Sequence, residues 1–331
     1  MSNFWQGKPV LVTGAGGFIA SHLVQALVEN GAQVRAFVRY NSRGDTGLLR
    51  VLPPATLAEI EVVAGDLRDL PAISDAMQGV SHVFHLGALI AIPYSYVHPA
   101  EVVETNIIGT MNILLAGRQH APERIIHTST SEVYGTALRV PIDEDHPLQG
   151  QSPYAASKIG ADKLAESFYL SYGLPVVTLR PFNTYGPRQS TRAVIPTIIT
   201  QALTQDIIRL GNLEARRDLT YVSDTVAGFL QVAQAPDVNG GAFNLGTGSE
   251  VSIGELANTI IDLVGRPVSI EIDPARLRPA KSEVQRLLSD NSRAKEFLGW
   301  TPQVPLREGL KQTITWIREN LGRFQPENYQ I

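Results

Sequence analysis

The chain has 331 residues, 44% of them hydrophobic, with 28 Lys and Arg against 32 Asp and Glu for a formal charge of −4 and no cysteine. This balance gives no electrostatic reason to expect nucleic acid, and the lack of thiols excludes disulfides and thiolate metal sites. The N-terminus MSNFWQGKPV has neither the basic nor the long apolar region of a signal peptide, and no run approaches the roughly 20 apolar residues of a membrane span, so a cytoplasmic globular protein is expected.

Short β-rich runs alternate with helical patterns through the first half. PVLVTG (9–14), AQVRAFV (32–38), IEVVAG (60–65), SHVFHL (81–86), ERIIHT (123–128) and PVVTLRP (175–181) read as strands. Helices are expected over 20–31 (closed by Gly31), near 70–78 and 99–119, and over 154–171. This rhythm implies an α/β fold, a Rossmann-type doubly wound parallel sheet with ligands at the carboxyl ends of its strands. After Pro181 the rhythm breaks into a loop-rich segment with one helix near 195–204. A helix near 223–234 and a strand near 241–245 could rejoin the sheet, and a helix, the short strand VSIEI, a Pro- and Arg-rich loop and terminal helices follow. The expected plan is a dinucleotide domain of 1–180 plus 221–247 and a smaller mixed α/β domain of 181–220 plus 248–331.

VTGAGGFIASHL sets Gly14, Gly17 and Ala20 at GxxGxxA spacing between a strand and a helix. Glycines allow a tight turn and close backbone approach, so a pyrophosphate can sit on the helix N-terminus. Ala20 replaces the usual third glycine, where only close helix–strand packing is asked for. At the end of the second strand an NAD site would show a carboxylate for the ribose diol; here VRYNSR offers Arg39 and Arg43, which attract a 2′-phosphate and favour NADP over NAD. Asp66 in GDLRD either accepts from the adenine amino group or caps the following helix.

SPYAASK puts Tyr154 and Lys158 one helical turn apart. A free tyrosine, with a pKa of about 10, is a poor base at neutral pH, but an adjacent ammonium stabilises its phenolate. His82 and His85 share one strand at a three-residue spacing and so face opposite sides, which argues against metal ligation.

Together with HLGA (85–88), ETNIIGTMNIL (104–114), STSEVYG (129–135), LRPFNTYGPRQ (179–189), RRDLTYVSD (216–224), NLGTG (244–248) and LGWTP (298–302), these motifs make nearly the whole chain resemble an extended short-chain dehydrogenase/reductase of the nucleotide-sugar epimerase/dehydratase group. The resemblance implies a nicotinamide cofactor that is oxidised and reduced within one cycle, a sugar-nucleotide substrate, and a homodimer formed through a four-helix bundle of the helices near 99–118 and 155–171. It implies cofactor contacts at Gly14, Gly17, Phe18, Ile19, Arg39, Asn41, Ser42, Arg43, Asp66, Leu67, Leu86, Ala88, Tyr154 and Lys158. Tyr154 and Lys158 match the catalytic pair, Thr130 the hydroxyl on the sugar O4, and Asn183, Arg217 and Arg278 the residues on the substrate diphosphate.

Thr130, Ser131 and Glu132 then bear on the reaction. Oxidising C4 of a hexose makes the C5 proton acidic, and a carboxylate facing C5 can remove it as the C6 hydroxyl leaves. Related 4-epimerases generally lack a carboxylate at this position, so Glu132 argues for 4,6-dehydration. Thr-Ser-Glu is similar to GDP-mannose 4,6-dehydratases; dTDP-glucose 4,6-dehydratases have Thr-Asp-Glu, whose aspartate protonates the leaving hydroxyl, a role Ser131 cannot fill strongly. UDP-glucuronate decarboxylases also carry Thr-Ser-Glu, so that reaction and 4-epimerisation stay open, as does a non-catalytic dinucleotide sensor. AFVRYNSR and AVIPTIITQAL resemble segments of dehydratases acting on nucleotide-linked N-acetylhexosamines in legionaminic-type pathways.

Overall fold

A computed structural model describes residues 4–324. In chain order its strands are β1 (Pro9–Thr13), β2 (Gln33–Arg39), β3 (Ile60–Gly65), β4 (His82–His85), β5 (Arg124–Thr128), β6 (Val176–Pro181), β7 (Asn183–Tyr185), β8 (Ile207–Leu210), β9 (Arg216–Tyr221), β10 (Ala242–Leu245), β11 (Glu250–Ser252), β12 (Ser269–Ile272) and β13 (Arg286–Leu287). Seven of them form one sheet in the order β10-β6-β5-β4-β1-β2-β3, every neighbouring pair parallel. Alternate residues feed its two faces. Val10 and Val12 join Leu23 and Leu27 of helix Phe18–Glu29, whereas Leu11 joins Ile73 and Met77 of helix Leu70–Met77 and Ile113 of helix Gly109–His120. A sheet covered on both faces explains why its central strands read as continuous apolar runs.

The strand order reverses between β1 and β4, which opens a crevice at their carboxyl ends. The backbone closes tightly there: Gly14 has φ +67°, and a Cβ on it would lie 2.7 Å from the Cα of Gly87. Ala20 is buried and tolerated at the third glycine position.

The segment after Pro181 holds more strand than its sequence suggests. β7, β9, β11 and β13 make a small mixed sheet, and β12 pairs with β8. β10 returns to the large sheet beside β6, and helix Val222–Gln234 packs on helix Phe18–Glu29. The helical stretch from Pro99 to His120 is interrupted by a π-turn at Glu104–Ile108. Helix Pro153–Tyr172 is capped by Ser152, whose hydroxyl accepts from the Ala155 amide, and ends at Gly173 in the left-handed region.

Candidate active site

The glycine loop fits an anion. Gly17 caps helix Phe18–Glu29 with no side-chain acceptor for the first amides and no acidic residue in the first turn. Those N–H groups therefore need an outside partner, and a pyrophosphate supplies one. Phe18 and Ile19 open this helix, and Leu86 and Ala88 flank Gly87 across the crevice. Leu67 is buried against Gly87 and Gly109, and its carbonyl accepts from Asn112 Nδ2 at 2.9 Å.

At the far end of the crevice Asp66 is held by Arg68 through Nε–Oδ1 at 3.0 Å and Nη2–Oδ2 at 2.7 Å. Arg68 keeps its carboxyl down at about 2, well below the usual carboxylate range. The helix-capping alternative for Asp66 fails: Asp69 caps helix Leu70–Met77 by accepting from the Ala72 amide. Arg39 ends β2 and pairs with Glu101 at 3.4 Å, and the Glu101 carboxylate also accepts from the Tyr94 hydroxyl. Asn41 shapes the next loop, its Oδ1 accepting from the Arg43 and Asp45 amides and its Nδ2 donating to the Asp45 carbonyl. Ser42 and Arg43 are exposed in that loop.

A buried polar chain ties the glycine loop to the Tyr154 helix. Thr13 Oγ1 and His85 Nδ1 are 2.8 Å apart, His85 Nε2 meets Thr110 Oγ1 at 3.1 Å, and Thr110 donates to the Asn106 carbonyl. Asn106, in the π-turn, donates to Ser157 Oγ at 2.9 Å, and Ser157 donates to the Tyr154 carbonyl. His82 points the other way, into Phe4 and Trp5. Among the described residues no three His, Asp or Glu group as a metal would require.

Tyr154 and Lys158 are both buried. Burial pushes the Tyr154 hydroxyl well above its ordinary value, and a hydrogen bond with Thr130 works against that. Burial likewise lowers the Lys158 ammonium to about 8, partly offset by Asp162, and the ammonium donates to the Thr128 carbonyl at 2.7 Å. The Thr128 hydroxyl is buried without a partner beside this pair. Thr130 also starts the short turn Ser131–Tyr134, its Oγ1 accepting from the Glu132 amide at 3.2 Å. Ser131 and Glu132 are buried in that turn.

Glu132 borders a cavity of about 250 Å³ with Asn183, Arg192, Arg217, Arg276 and Arg278. Arg217 is buried; desolvation weakens its hold on the proton, and Glu132 opposes this. Glu283 lies 3.4 Å from Arg217 and 3.9 Å from Arg278. Asn183 Oδ1 and Arg278 Nη1 are buried without hydrogen-bond partners, so the cavity presents an acceptor and a donor for a ligand. Asn183, Arg217 and Arg278, singled out in the sequence, thus share one cavity with Glu132. Arg192 and Arg276 were missed. Their signal was a basic residue in each of the STRAV and PARLRP loops, without regular structure to give it a direction.

Residues 11–313 match the GDP-mannose 4,6 dehydratase family. The chain belongs to that family. It is therefore a member of the nucleotide-sugar epimerases and dehydratases of the short-chain dehydrogenase/reductase type. A UDP-glucose 4-epimerase of Mycolicibacterium smegmatis is 35% identical, over 93% of this chain and 98% of its own. A mouse dTDP-D-glucose 4,6-dehydratase is 32% identical, over 96% of this chain and 91% of its own. The crystal structure of DesIV, a dTDP-glucose 4,6-dehydratase from Streptomyces venezuelae with NAD bound, superposes with a TM-score of 0.85 at 30% identity, covering 97% of this chain and all of DesIV (100%). Relatives of both reaction types thus stand at similar distances. Among the described residues no helix is long and apolar enough to cross a membrane.

Proposed function

We propose that this family member is a nucleotide-sugar 4,6-dehydratase acting on a nucleotide-linked N-acetylhexosamine. The observation that carries the reaction type is Glu132: a buried carboxylate two residues beyond Thr130 that also lines the cavity of Asn183, Arg217 and Arg278. The hexosamine rests on the likeness of AFVRYNSR and AVIPTIITQAL to enzymes of that kind. A bound nicotinamide dinucleotide supplies hydride acceptance at C4 and hydride return at C6. Tyr154, its phenolate stabilised by Lys158 and Thr130, takes the proton of the C4 hydroxyl. Thr130 holds O4, and Glu132 takes the C5 proton and delivers one to the departing C6 oxygen. Water leaves, C5 regains a proton from solvent, and Tyr154 releases the C4 hydroxyl proton to solvent to restore its phenolate. Ser131 lines the same turn but is too weak an acid for the leaving hydroxyl. Arg217, Arg278 and Asn183 bind the diphosphate, and the Nη1 of Arg278, which has only the 3.9 Å contact with Glu283 and no hydrogen-bond partner, supports that role.

Gly14, Gly17, Phe18 and Ile19 would cradle the dinucleotide, with Asp66 on the adenine. Arg39 and Arg43 support NADP, and the Arg39–Glu101 pair together with the NAD held by DesIV keeps NAD as the alternative. A cytoplasmic homodimer is the proposed form. Its support is the exposed Val103 and Ile108 on one helical stretch and Leu170 and Tyr172 on helix Pro153–Tyr172; light scattering reads the mass directly.

The deciding experiment incubates the protein in deuterated water with UDP- and GDP-N-acetylglucosamine, GDP-mannose, dTDP-glucose and UDP-glucuronate, read by mass spectrometry. Loss of one water with gain of one deuterium is expected for an N-acetylhexosamine nucleotide. Loss of carbon dioxide from the glucuronate, or a new 4-epimer without mass change, would assign the site to decarboxylation or epimerisation instead.

A further inference from the structure

Three residues of helix Pro153–Tyr172 face the end of β5 at successive turns. Tyr154 meets Thr130, Lys158 donates to the Thr128 carbonyl at 2.7 Å, and Asp162 accepts from the side chains on either side of Thr128. Those two bonds are His127 Nε2 to Oδ1 at 3.1 Å and Ser129 Oγ to Oδ2 at 2.8 Å. The periods match: four helical residues climb about 6.0 Å and two strand residues advance about 6.6 Å. The match holds from Tyr154–Thr130 to Lys158–Thr128; Asp162, one turn further, bonds residues 127 and 129 rather than continuing to 126, and so adds two bonds to that same register.

Asp162 is built into the protein interior. It is buried, and Arg180 of β6 meets it through Nε at 3.2 Å and Nη2 at 3.1 Å. Arg180 in turn donates to the Tyr134 hydroxyl at 2.9 Å, at the last residue of the turn that carries Glu132. His127 is held neutral by burial, so its Nε2–H is the donor to the carboxylate. One carboxylate thus connects the helix of Tyr154 and Lys158 to the residues on either side of Thr128 and, through Arg180, to the turn of Glu132.

We propose that Asp162 is a positioning residue for the reaction: its carboxylate fixes the register of the Tyr154–Lys158 helix against residues 127–132, so that the two catalytic segments keep their spacing around the sugar. The inference rests on the Tyr154 and Lys158 assignment above. It accounts for a buried acid that touches none of the candidate substrate-binding residues and for the opposed hydrogen bonds that bracket Thr128. Its negative charge also keeps Lys158 protonated to higher pH than burial alone would allow.

The test compares wild type, Asp162→Asn, Ser129→Ala and Tyr154→Phe as full-length protein with bound cofactor, using whichever of UDP-N-acetylglucosamine, GDP-mannose and dTDP-glucose turns over. Asp162→Asn is expected to lower kcat about 10²-fold with KM nearly unchanged, the scale of a small misplacement of reacting groups. The alkaline limb of its pH profile should move to lower pH by about 1 unit or more, because the charge supporting the Lys158 ammonium is gone. Wild-type kcat in Asp162→Asn overturns the proposal. So does a kcat loss that tracks a fall in melting temperature with the limb in place, which is the signature of a merely structural role. If Asp162→Asn does not fold, Ser129→Ala decides: a severalfold loss of kcat at unchanged melting temperature supports the proposal, and wild-type kcat overturns it. An active Tyr154→Phe would instead remove the underlying site assignment.

Discussion

The Lys158 ammonium donates to the Thr128 carbonyl one helical turn below Tyr154, and both side chains are buried. This geometry holds the cation on the strand end that also carries Thr130, the hydrogen-bond partner of Tyr154, without a carboxylate bonded to it. Substituting Tyr154→Phe removes the hydroxyl proposed to move the C4 proton, and turnover is expected to fall by roughly 10²–10⁴-fold. The fold should survive, since no core volume is lost; kcat and melting temperature measured together check this.

The same burial makes a pH prediction for stability. The Lys158 value in the folded chain, about 8, lies below its ordinary 10.5, so between those values the unfolded chain binds more protons. The destabilising contribution of Lys158 is complete below pH 8 and is relieved as pH rises towards 10.5. Denaturant titrations of wild type and Lys158→Met across that window should show the wild type gaining stability relative to the variant. A constant difference would mean that Lys158 is not desolvated as described.

Glu132→Gln keeps the shape of the turn and removes the proposed base for C5. Product formation should fall at least about 10²-fold while the removal of hydride from C4 persists in part. Under single-turnover conditions the near-ultraviolet absorbance of reduced nicotinamide should therefore build up and stay. Equal loss of both half-reactions would contradict the role given to Glu132.

Arg278 has a buried nitrogen with no hydrogen-bond partner, and Arg217 shares Glu283 with it. Charge-assisted bonds of this kind contribute about 1.5–3 kcal/mol each, so Arg278→Ala should weaken sugar-nucleotide binding roughly 10–100-fold. Isothermal titration with the nucleoside diphosphate alone should show the same factor. A nucleoside monophosphate should be less affected.

The proposed preference for NADP rests on Arg39. Arg39→Ala is expected to shift the ratio of dissociation constants towards NAD by about tenfold, as a guanidinium–phosphate contact is lost. Glu101→Gln frees Arg39 from an exposed ion pair, which is worth little, and should shift the ratio towards NADP by only about 2–5-fold. Fluorescence titration with the two dinucleotides reads both changes. No change in either variant would place Arg39 away from the adenosine ribose.

The large sheet was readable because its inner strands β1, β4, β5 and β6 are buried on both faces, while the half-exposed edge strand β3 is marked by its run of β-branched residues. β3 falls where its pattern puts it, at 60–65, and β1, β2, β4, β5 and β6 lie within one or two residues of the expected limits. β9 was not readable. RRDLTY carries two arginines and an aspartate that are tolerated only through distant partners: Asp218 accepts from the amides of Thr247, Gly248 and Ser289. Two- and three-residue strands such as β13 and β7 have no period to detect. In the site, Tyr154, Lys158, Glu132 and the glycines announce themselves by motif. Asp162 does not, because an acidic residue on a helix looks like a solvated face until His127, Ser129 and Arg180 are brought to it. Asp66 shows the opposite failure, since a strand-end aspartate suits a cap and only the structure reveals that Asp69 takes that position.

The return of β10 to the edge of the large sheet means that the polypeptide leaves the seven-stranded layer after β6 and comes back only after β9 and helix Val222–Gln234. Any recombination that exchanges the part of the cavity lining that holds Asn183, Arg217 and Arg278 between relatives must therefore join the chain at three seams, after Pro181, before helix Val222–Gln234 and after β10, because Arg278 follows β10. A single crossover after Pro181 would import the edge strand and its covering helix from the donor, and with them a foreign fit against β6 and helix Phe18–Glu29. Chimeras cut at all three junctions are the ones whose sheet stays native while that lining is exchanged, which makes that set of junctions the unit for grafting a different cavity lining onto this scaffold.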